Sequence, residues 1–188
     1  DRARDLEATI GSDHRQTNLR LGASSTIGNY MLPQLMGKFI AAHPGSQLSL
    51  DVGNTFSIVS EIKKYEIDIG FIEGPSLDKD IQTLFWREEE LAVCASPDNP
   101  LARKKEVSAA DLLDSGWIMR EQGSGTRDVV ENLLLTQLGI VRTVKELGGT
   151  EAIKRAVESN IGISCLPKIA LSGAIARGSI VYLTTASL

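Results

Sequence analysis

The sequence predicts an α/β fold in which two Rossmann-like lobes are joined by crossover strands. Three observations carry this expectation. From Leu19 onward, short apolar strands alternate with amphipathic helices, the pattern of a parallel sheet covered on both faces. The segment 84–95 is extended, too long for one buried strand, and charged in its middle at Arg87, Glu88, Glu89 and Glu90. After it the strand–helix alternation begins again. Residues 18–90 are therefore assigned to lobe I and 91–188 to lobe II.

Residues 1–17 start with helical composition and break at Gly11-Ser12-Asp13, which reads as the end of a linker helix. A strand is expected over 19–23. Ser24, Ser25 and Thr26 then supply capping hydroxyls. A single helix is expected over 27–42, with Ile27, Met31, Leu35 and Phe39 at helical spacing and Pro33 near its first turn, where a missing N–H costs least. His43-Pro44-Gly45 stops it. A strand over 47–52, a turn with a cap at Gly53-Asn54-Thr55, a helix to residue 65 and a strand over 67–72 complete the first lobe. The second is expected to contain a short helix at 109–113, strand 117–119, helix 126–138, strand 141–147, helix 150–159 and strand 161–166. A short helix from Pro167 and a last strand over 180–183 follow. The helix 27–42 is apolar on more than one side (Met31, Leu32, Leu35, Met36, Phe39, Ile40). One stripe suffices to cover a sheet, so the excess points either to a second subunit or to full burial.

Composition narrows the function. The chain has 188 residues, 42% hydrophobic and 23% charged, enough for one good core or two small ones. Net charge is -4, and basic residues cluster only in short runs such as Lys63-Lys64 and Arg103-Lys104-Lys105. Phosphate contacts dominate nucleic-acid affinity, so this segment alone is not expected to bind DNA well. No apolar run approaches the roughly 20 residues that span a bilayer, and residues 1–20 carry no apolar secretory core. The expectation is a cytoplasmic protein without membrane contact. Cys94 and Cys165 lie in apolar strand-like runs and read as buried hydrophobes. No Cys or His spacing suggests a metal site. Enzymatic signatures are missing: there is no Gly-x-Ser-x-Gly elbow, Ser60-Glu61-Ile62-Lys63 lies mid-helix, and neither His14, in the linker, nor His43, beside a Pro-Gly turn, has a plausible nucleophile or carboxylate partner in sequence.

The positive signal is a recurrence. Four strand-to-helix junctions carry small, hydroxyl or amide residues: Ser24-Ser25-Thr26, Gly53-Asn54-Thr55, Gly123-Ser124-Gly125-Thr126 and Gly148-Gly149-Thr150. Ligands of open α/β sheets sit at the carboxyl ends of strands, where helix N-termini present unpaired N–H groups and a positive dipole end. Two junctions fall in each lobe, so facing lobes converge all four on one cleft suited to an anion. The stretch Glu121-Gln122-Gly123-Ser124-Gly125-Thr126-Arg127 is the most distinctive. Its glycines permit close backbone approach, yet it is neither a dinucleotide fingerprint nor a P-loop, and no cofactor is expected. Arg127 either pairs with an anionic ligand or lies solvated on its helix. Glu73, at the end of an apolar strand, either accepts a hydrogen bond from a protonated oxyanion, an amine or a lobe-bridging residue, or is an exposed loop acid.

Four stretches carry a family resemblance: LRLGASSTIGNYMLPQLMGKFIAAHPG, DIGFIEGP, WIMREQGSGTR and ELGGTEAIKRAVESNIGISCLP. In order and spacing, from about Leu19 to Leu183, they resemble the effector domain of LysR-type transcription regulators. The REQGSGTR and IEGP forms look most like the branch of sulfite-responsive YeiE-type, CysB-like and CbbR-like regulators. The resemblance implies a fold like the type 2 periplasmic binding proteins and a small anionic effector, sulfite- or sulfate-like or a small carboxylate, held between the lobes. Ligand binding would fall to Ser24, Ser25, Thr26, Asn54, Thr55, Glu73, Gln122, Gly123, Ser124, Thr126, Gly149 and Thr150. It further implies an N-terminal winged helix-turn-helix domain as the only DNA contact, dimers of this domain and tetramers of the full protein. The dimer contact would use Tyr30, Met31, Leu35, Phe39, Ile58 and Ile62. Family members continue past the last strand into a returning strand and a closing helix of lobe I, whereas this chain stops at Leu188. A periplasmic oxyanion-binding protein of a transporter is the alternative reading, and no catalysis is expected.

Overall fold

Strand β1 (Asn18–Ser24) is the axis of the first lobe, flanked by two parallel strands, β2 (Gln47–Gly53) and β3 (Ile69–Phe71). In the computed structural model the described residues are 18–74, 76, 78–139 and 143–185. The expected linker at 1–17 lies outside them, as do Pro75 and the first residues of the expected strand 141–147. Leu21 pairs with Leu50 on one side and with Ile69 on the other. Three helices cover this sheet: α1 (Ser25–Tyr30), α2 (Leu32–Ala42) and α3 (Thr55–Lys63). Helix α3 lies close to the sheet because Gly70 has no side chain. A Cβ there would stand 2.9 Å from Ile58 Cγ2. Ile58 is fully buried.

The helix expected over 27–42 is two helices. Proline has no N–H to give the preceding turn and its ring crowds the carbonyl four residues back. Pro33 accordingly sits in the first turn of α2, and the chain breaks at Met31 (φ -115°, ψ -53°). The break turns Met31 inward, where it joins Ala23, Ile27 and Leu32 in a core cluster that also packs on Ile169 of the second lobe.

The extended segment 84–95 is a strand only at its end, β4 (Leu91–Ala95). Regular pairing needs neighbouring strands. Residues 91–95 find them in β7 (Ser164–Pro167) and β8 (Val181–Tyr182), both antiparallel, whereas 81–90 belong to no strand and are held instead by isolated contacts such as Lys168 N–H donating to the Glu90 carbonyl at 2.8 Å. Leu84 and Phe85 are more than four-fifths exposed. Between this segment and the outer edge of β3 lies a groove of about 1000 Å³, lined by Ile62, Ile69, Phe71, Ile81 and Trp86 among others. Trp86 meets Phe71 edge-on at 5.3 Å.

In the second lobe β5 (Trp117–Arg120) runs parallel to β6 (Thr143–Leu147). A bridge from Trp117 to Ile163, with Ile118 N–H donating to the Ile163 carbonyl at 2.8 Å, joins this pair to β7. The order is thus β6-β5-β7-β4-β8, a mixed sheet in place of the expected parallel one, because β4 enters from the other lobe and runs against its neighbours. Helices α4 (Ala109–Asp114), α5 (Gly125–Leu138), α6 (Thr150–Glu158) and α7 (Lys168–Ala176) cover it. One core cluster gathers Val93, Leu112, Trp117, Val130 and Leu134, the other Ile118, Ile153, Leu166 and Leu171. Each such side chain contributes about 1.5–3 kcal/mol by leaving water. Cys94 belongs to the second cluster and Cys165 to the first, so the two thiols point to opposite faces of adjacent strands. Burial pushes both thiols up, Cys165 to about 12, which keeps them protonated and unreactive.

Candidate functional site

All four hydroxyl-rich junctions stand at the carboxyl ends of β1, β2, β5 and β6, and they meet between the lobes. The meeting is direct. The hydroxyls of Thr26 and Thr150 lie 3.4 Å apart, one from each lobe and both buried. Phe56 N–H donates to the Gly123 carbonyl at 3.1 Å. Gly125 N–H donates to Thr55 Oγ1 at 3.2 Å, and that hydroxyl donates to the Glu73 carbonyl at 3.3 Å. Thr126 Oγ1 donates to Glu73 Oε1 at 3.0 Å. Of the two sequence-level alternatives for Glu73, the geometry is that of a carboxylate held by a lobe-bridging residue. Its other oxygen, Oε2, is buried with no hydrogen-bond partner, as is Ser24 Oγ.

The predicted residues fall into two groups. Asn54, Thr55, Glu73, Gly123 and Thr126 form a seam in which the lobes satisfy each other. Asn54 caps α3 by accepting from Ser57 N–H at 3.0 Å, and its amide also donates to the Gln122 carbonyl at 3.4 Å. Ser25, Thr26, Gly149 and Thr150 form the second group around a buried charge not among the predicted residues. Two predicted residues do little at the cleft with their side chains. The side chain of Gln122 is exposed, because only its carbonyl turns to Asn54. The Ser124 hydroxyl is spent capping α5, accepting from Arg127 N–H at 3.4 Å.

The overlooked charge is Arg120, the last residue of β5, whose side chain is 1% exposed. A buried cation must be paired. Its Nε and Nη2 each donate at 2.8 Å to the Glu121 carboxylate. Nη1 donates to Thr150 Oγ1 at 3.1 Å, and Nη2 reaches Ser25 Oγ in the other lobe at 3.5 Å. Gly149 N–H adds a bond to Glu121 Oε2 at 3.1 Å. Burial raises the Glu121 carboxyl, but the guanidinium and the Gly149 N–H outweigh it and hold the group at about 2. A readable signal existed: an arginine closing an apolar strand at its carboxyl end, beside an acid. Lys154 was missed as well. It is buried on α6 and donates to Tyr30 OH of α1 at 2.9 Å and to Glu151 at 2.8 Å, a polar tie between the lobes.

Arg127 follows neither expected course. It is buried, not solvated, and its guanidinium is engaged by Glu131 at 2.7 Å, Glu146 at 2.5 Å and the Arg120 carbonyl at 2.7 Å. Its helix faces it toward β5 and β6, away from the gap. Ile58 and Met31 also depart from expectation. As core residues they offer no surface to a partner, which leaves Leu35 exposed and Tyr30, Phe39 and Ile62 partly exposed. Among the described residues no group of three or more His, Cys, Asp or Glu is placed to hold a metal, and no helix is long and apolar enough to cross a membrane.

Residues 12–187 match a family model described as the LysR substrate binding domain. The chain is 41% identical over 162 residues to a protein of Escherichia coli strain K12 named as the uncharacterized HTH-type transcriptional regulator YeiE, covering 86% of this chain and 55% of the relative. It is 31% identical to the HTH-type transcriptional regulator CysL of Bacillus subtilis, over 81% of this chain and 51% of that one. The chain thus spans about half the length of the curated relatives it matches. Among solved structures, the regulatory domain of CcmR from Synechocystis PCC6803, in complex with 2-PG, superposes with a TM-score of 0.82 at 36% identity, over 91% of this chain and 82% of that one. The fold is accordingly that of LysR regulatory domains, a type 2 periplasmic-binding-protein-like architecture.

Proposed function

The chain belongs to the LysR substrate binding domain family, and from that premise we propose that it senses a small anion in the cleft between its lobes. The observation that carries the reading is Arg120, a cation buried at the meeting of the two lobes and surrounded by the hydroxyls of Ser25 and Thr150, with Thr26 next to Thr150. Hydroxyls, helix N-termini and a buried guanidinium, here paired with Glu121, together gather hydrogen-bond donors suited to an anion where the lobes meet. The CcmR domain that shares this fold is in complex with 2-PG, which supports a small-molecule ligand for this fold. Candidates are sulfite- or sulfate-like oxyanions and small carboxylates.

In the full protein the domain works as a sensor, not an enzyme. The relatives are named as transcription regulators, which supports DNA contact through an N-terminal winged helix-turn-helix domain and a cytoplasmic location. The domain pairs with a second copy through the outward face of α2, and full-length chains form tetramers. The anion shifts regulation only by its differential affinity for two lobe or dimer arrangements.

Titration calorimetry with sulfite, sulfate, thiosulfate, 2-PG and small carboxylates tests the reading. At least one of them binds the wild type below millimolar concentration, and Thr26→Ala weakens it by about 1.5–3 kcal/mol, the worth of a hydrogen bond to a charged group. Heatless titrations with every one of these anions at millimolar concentration would discard it.

A further inference from the structure

We propose that the Glu121 carboxylate is a built-in competitor that occupies the anion position beside Arg120, so that an effector binds only by displacing it. The inference rests on the cleft reading above and deepens it by naming the residue that sets ligand class.

The donors around this carboxylate are those an effector oxyanion needs. Arg120 grips both oxygens, Nε to Oε2 and Nη2 to Oε1, each at 2.8 Å. Gly149 N–H, just ahead of α6, adds Oε2 at 3.1 Å, and Asn54 Nδ2 comes from the other lobe to Oε1 at 3.5 Å. Two lobes therefore converge on one carboxylate of the chain itself. Burial raises the Glu121 carboxyl, yet the guanidinium and the Gly149 N–H keep it ionised down to about pH 2, so the competitor is always charged.

The two members of the pair differ in what they can do next. The Arg120 side chain is 1% exposed, whereas that of Glu121 is 23% exposed. A rotamer change hydrates the carboxylate and frees the guanidinium, and because an unpaired buried cation is costly the freed guanidinium must be paired by the entering anion. An anion entering beside the intact pair would instead meet a second negative charge with the arginine already neutralised.

Displacement selects by charge. A monocarboxylate such as acetate offers Arg120 what Glu121 already offers, without the advantage of being tethered. A divalent oxyanion offers a third acceptor and more charge for Arg120, Thr150 and Ser25. The cleft thus favours divalent oxyanions over monocarboxylates.

Glu121→Gln keeps the shape and removes the charge. Titration calorimetry with sulfite and with acetate is expected to show both binding at least tenfold tighter than to wild type, with acetate gaining most. Unchanged or weaker binding of both, in a wild type that binds sulfite and an Arg120→Gln variant that does not, overturns the competitor and leaves the cleft reading standing. Absence of sulfite and acetate binding in wild type and Glu121→Gln alike overturns both. If Glu121→Gln does not fold, a crystal structure of the wild type with sulfite decides. The guanidinium must contact the anion with the Glu121 carboxylate moved away, and a retained 2.8 Å pair beside bound sulfite overturns the proposal.

Discussion

Gly125 sets how closely the two lobes meet. A Cβ at this position would stand 1.9 Å from the Glu73 carbonyl oxygen and 2.7 Å from its carbon, backbone atoms of the opposite lobe, and 2.8 Å from Thr55 Oγ1. Backbone cannot step aside as a flexible side chain does, so Gly125→Ala must part the seam. The expected loss is about 1–3 kcal/mol, the range for overpacking a well-packed contact, read as a lowered midpoint in chemical denaturation, together with weaker anion binding. An unchanged midpoint and affinity would show that the seam is slack. The same scale holds the least predictable feature of the molecule. Arg120 and Glu121 are neighbours in sequence, a spacing that on a strand sends side chains to opposite faces, yet here the acid lies just past the end of β5 and folds back onto the base.

Elements are held by their first turns. Asn54 and Ser57 form a reciprocal cap on α3, and Ser108 and Asp111 form another on α4. Lys104 and Ser108 hold the Asp111 carboxyl down at about 2. Asn54→Ala removes the cap of α3 and also the amide bond to the Gln122 carbonyl, so it is expected to cost about 0.5–2 kcal/mol. Ser108→Ala, which removes only a local cap, belongs nearer the lower end of that range. Parallel urea titrations compare the two, and an Asn54→Ala chain as stable as wild type would remove the cap from the account. The cap at Asn54 was legible in sequence because the motif is local, whereas the hydroxyls expected to cap at 24–26 do not do so: Ser24 makes no cap bond and Ser25 Oγ donates to the Gly53 carbonyl at 3.0 Å instead. The break at Met31 departs from the single helix expected, although its cause, Pro33, stands in the sequence. The apolar spacing from Ile27 to Phe39 continues across it and suggests one helix.

At the scale of the whole molecule, the outward face of α2 and edge strand β2 leave Leu35 41%, Ile40 45% and Val52 47% exposed. Apolar exposure grouped on one face is what a subunit contact covers. On the pairing proposed above, Leu35→Arg places an unpaired charge between the subunits and is expected to shift the domain from dimer to monomer in light scattering after size exclusion, with an unchanged circular dichroism spectrum. Equal masses for variant and wild type would place the contact elsewhere. Ile58 and Met31 show why sequence alone overstates such a face. Both have the spacing of a contact stripe, and both are consumed by the core of their own lobe.

Periodicity, glycine and hydroxyl punctuation and one charged crossover were enough to specify two α/β lobes and the junctions that face one another, because these signals act over a few residues. Long-range placement was needed for the rest. That β4 runs antiparallel and makes the second sheet mixed depends on which strands it meets. That Arg127 is locked to Glu131 and Glu146 while Arg120 stands in the cleft depends on which way two arginines seven residues apart are turned. A charge declares its partner only when the whole chain has folded around it, since burial is what makes pairing obligatory.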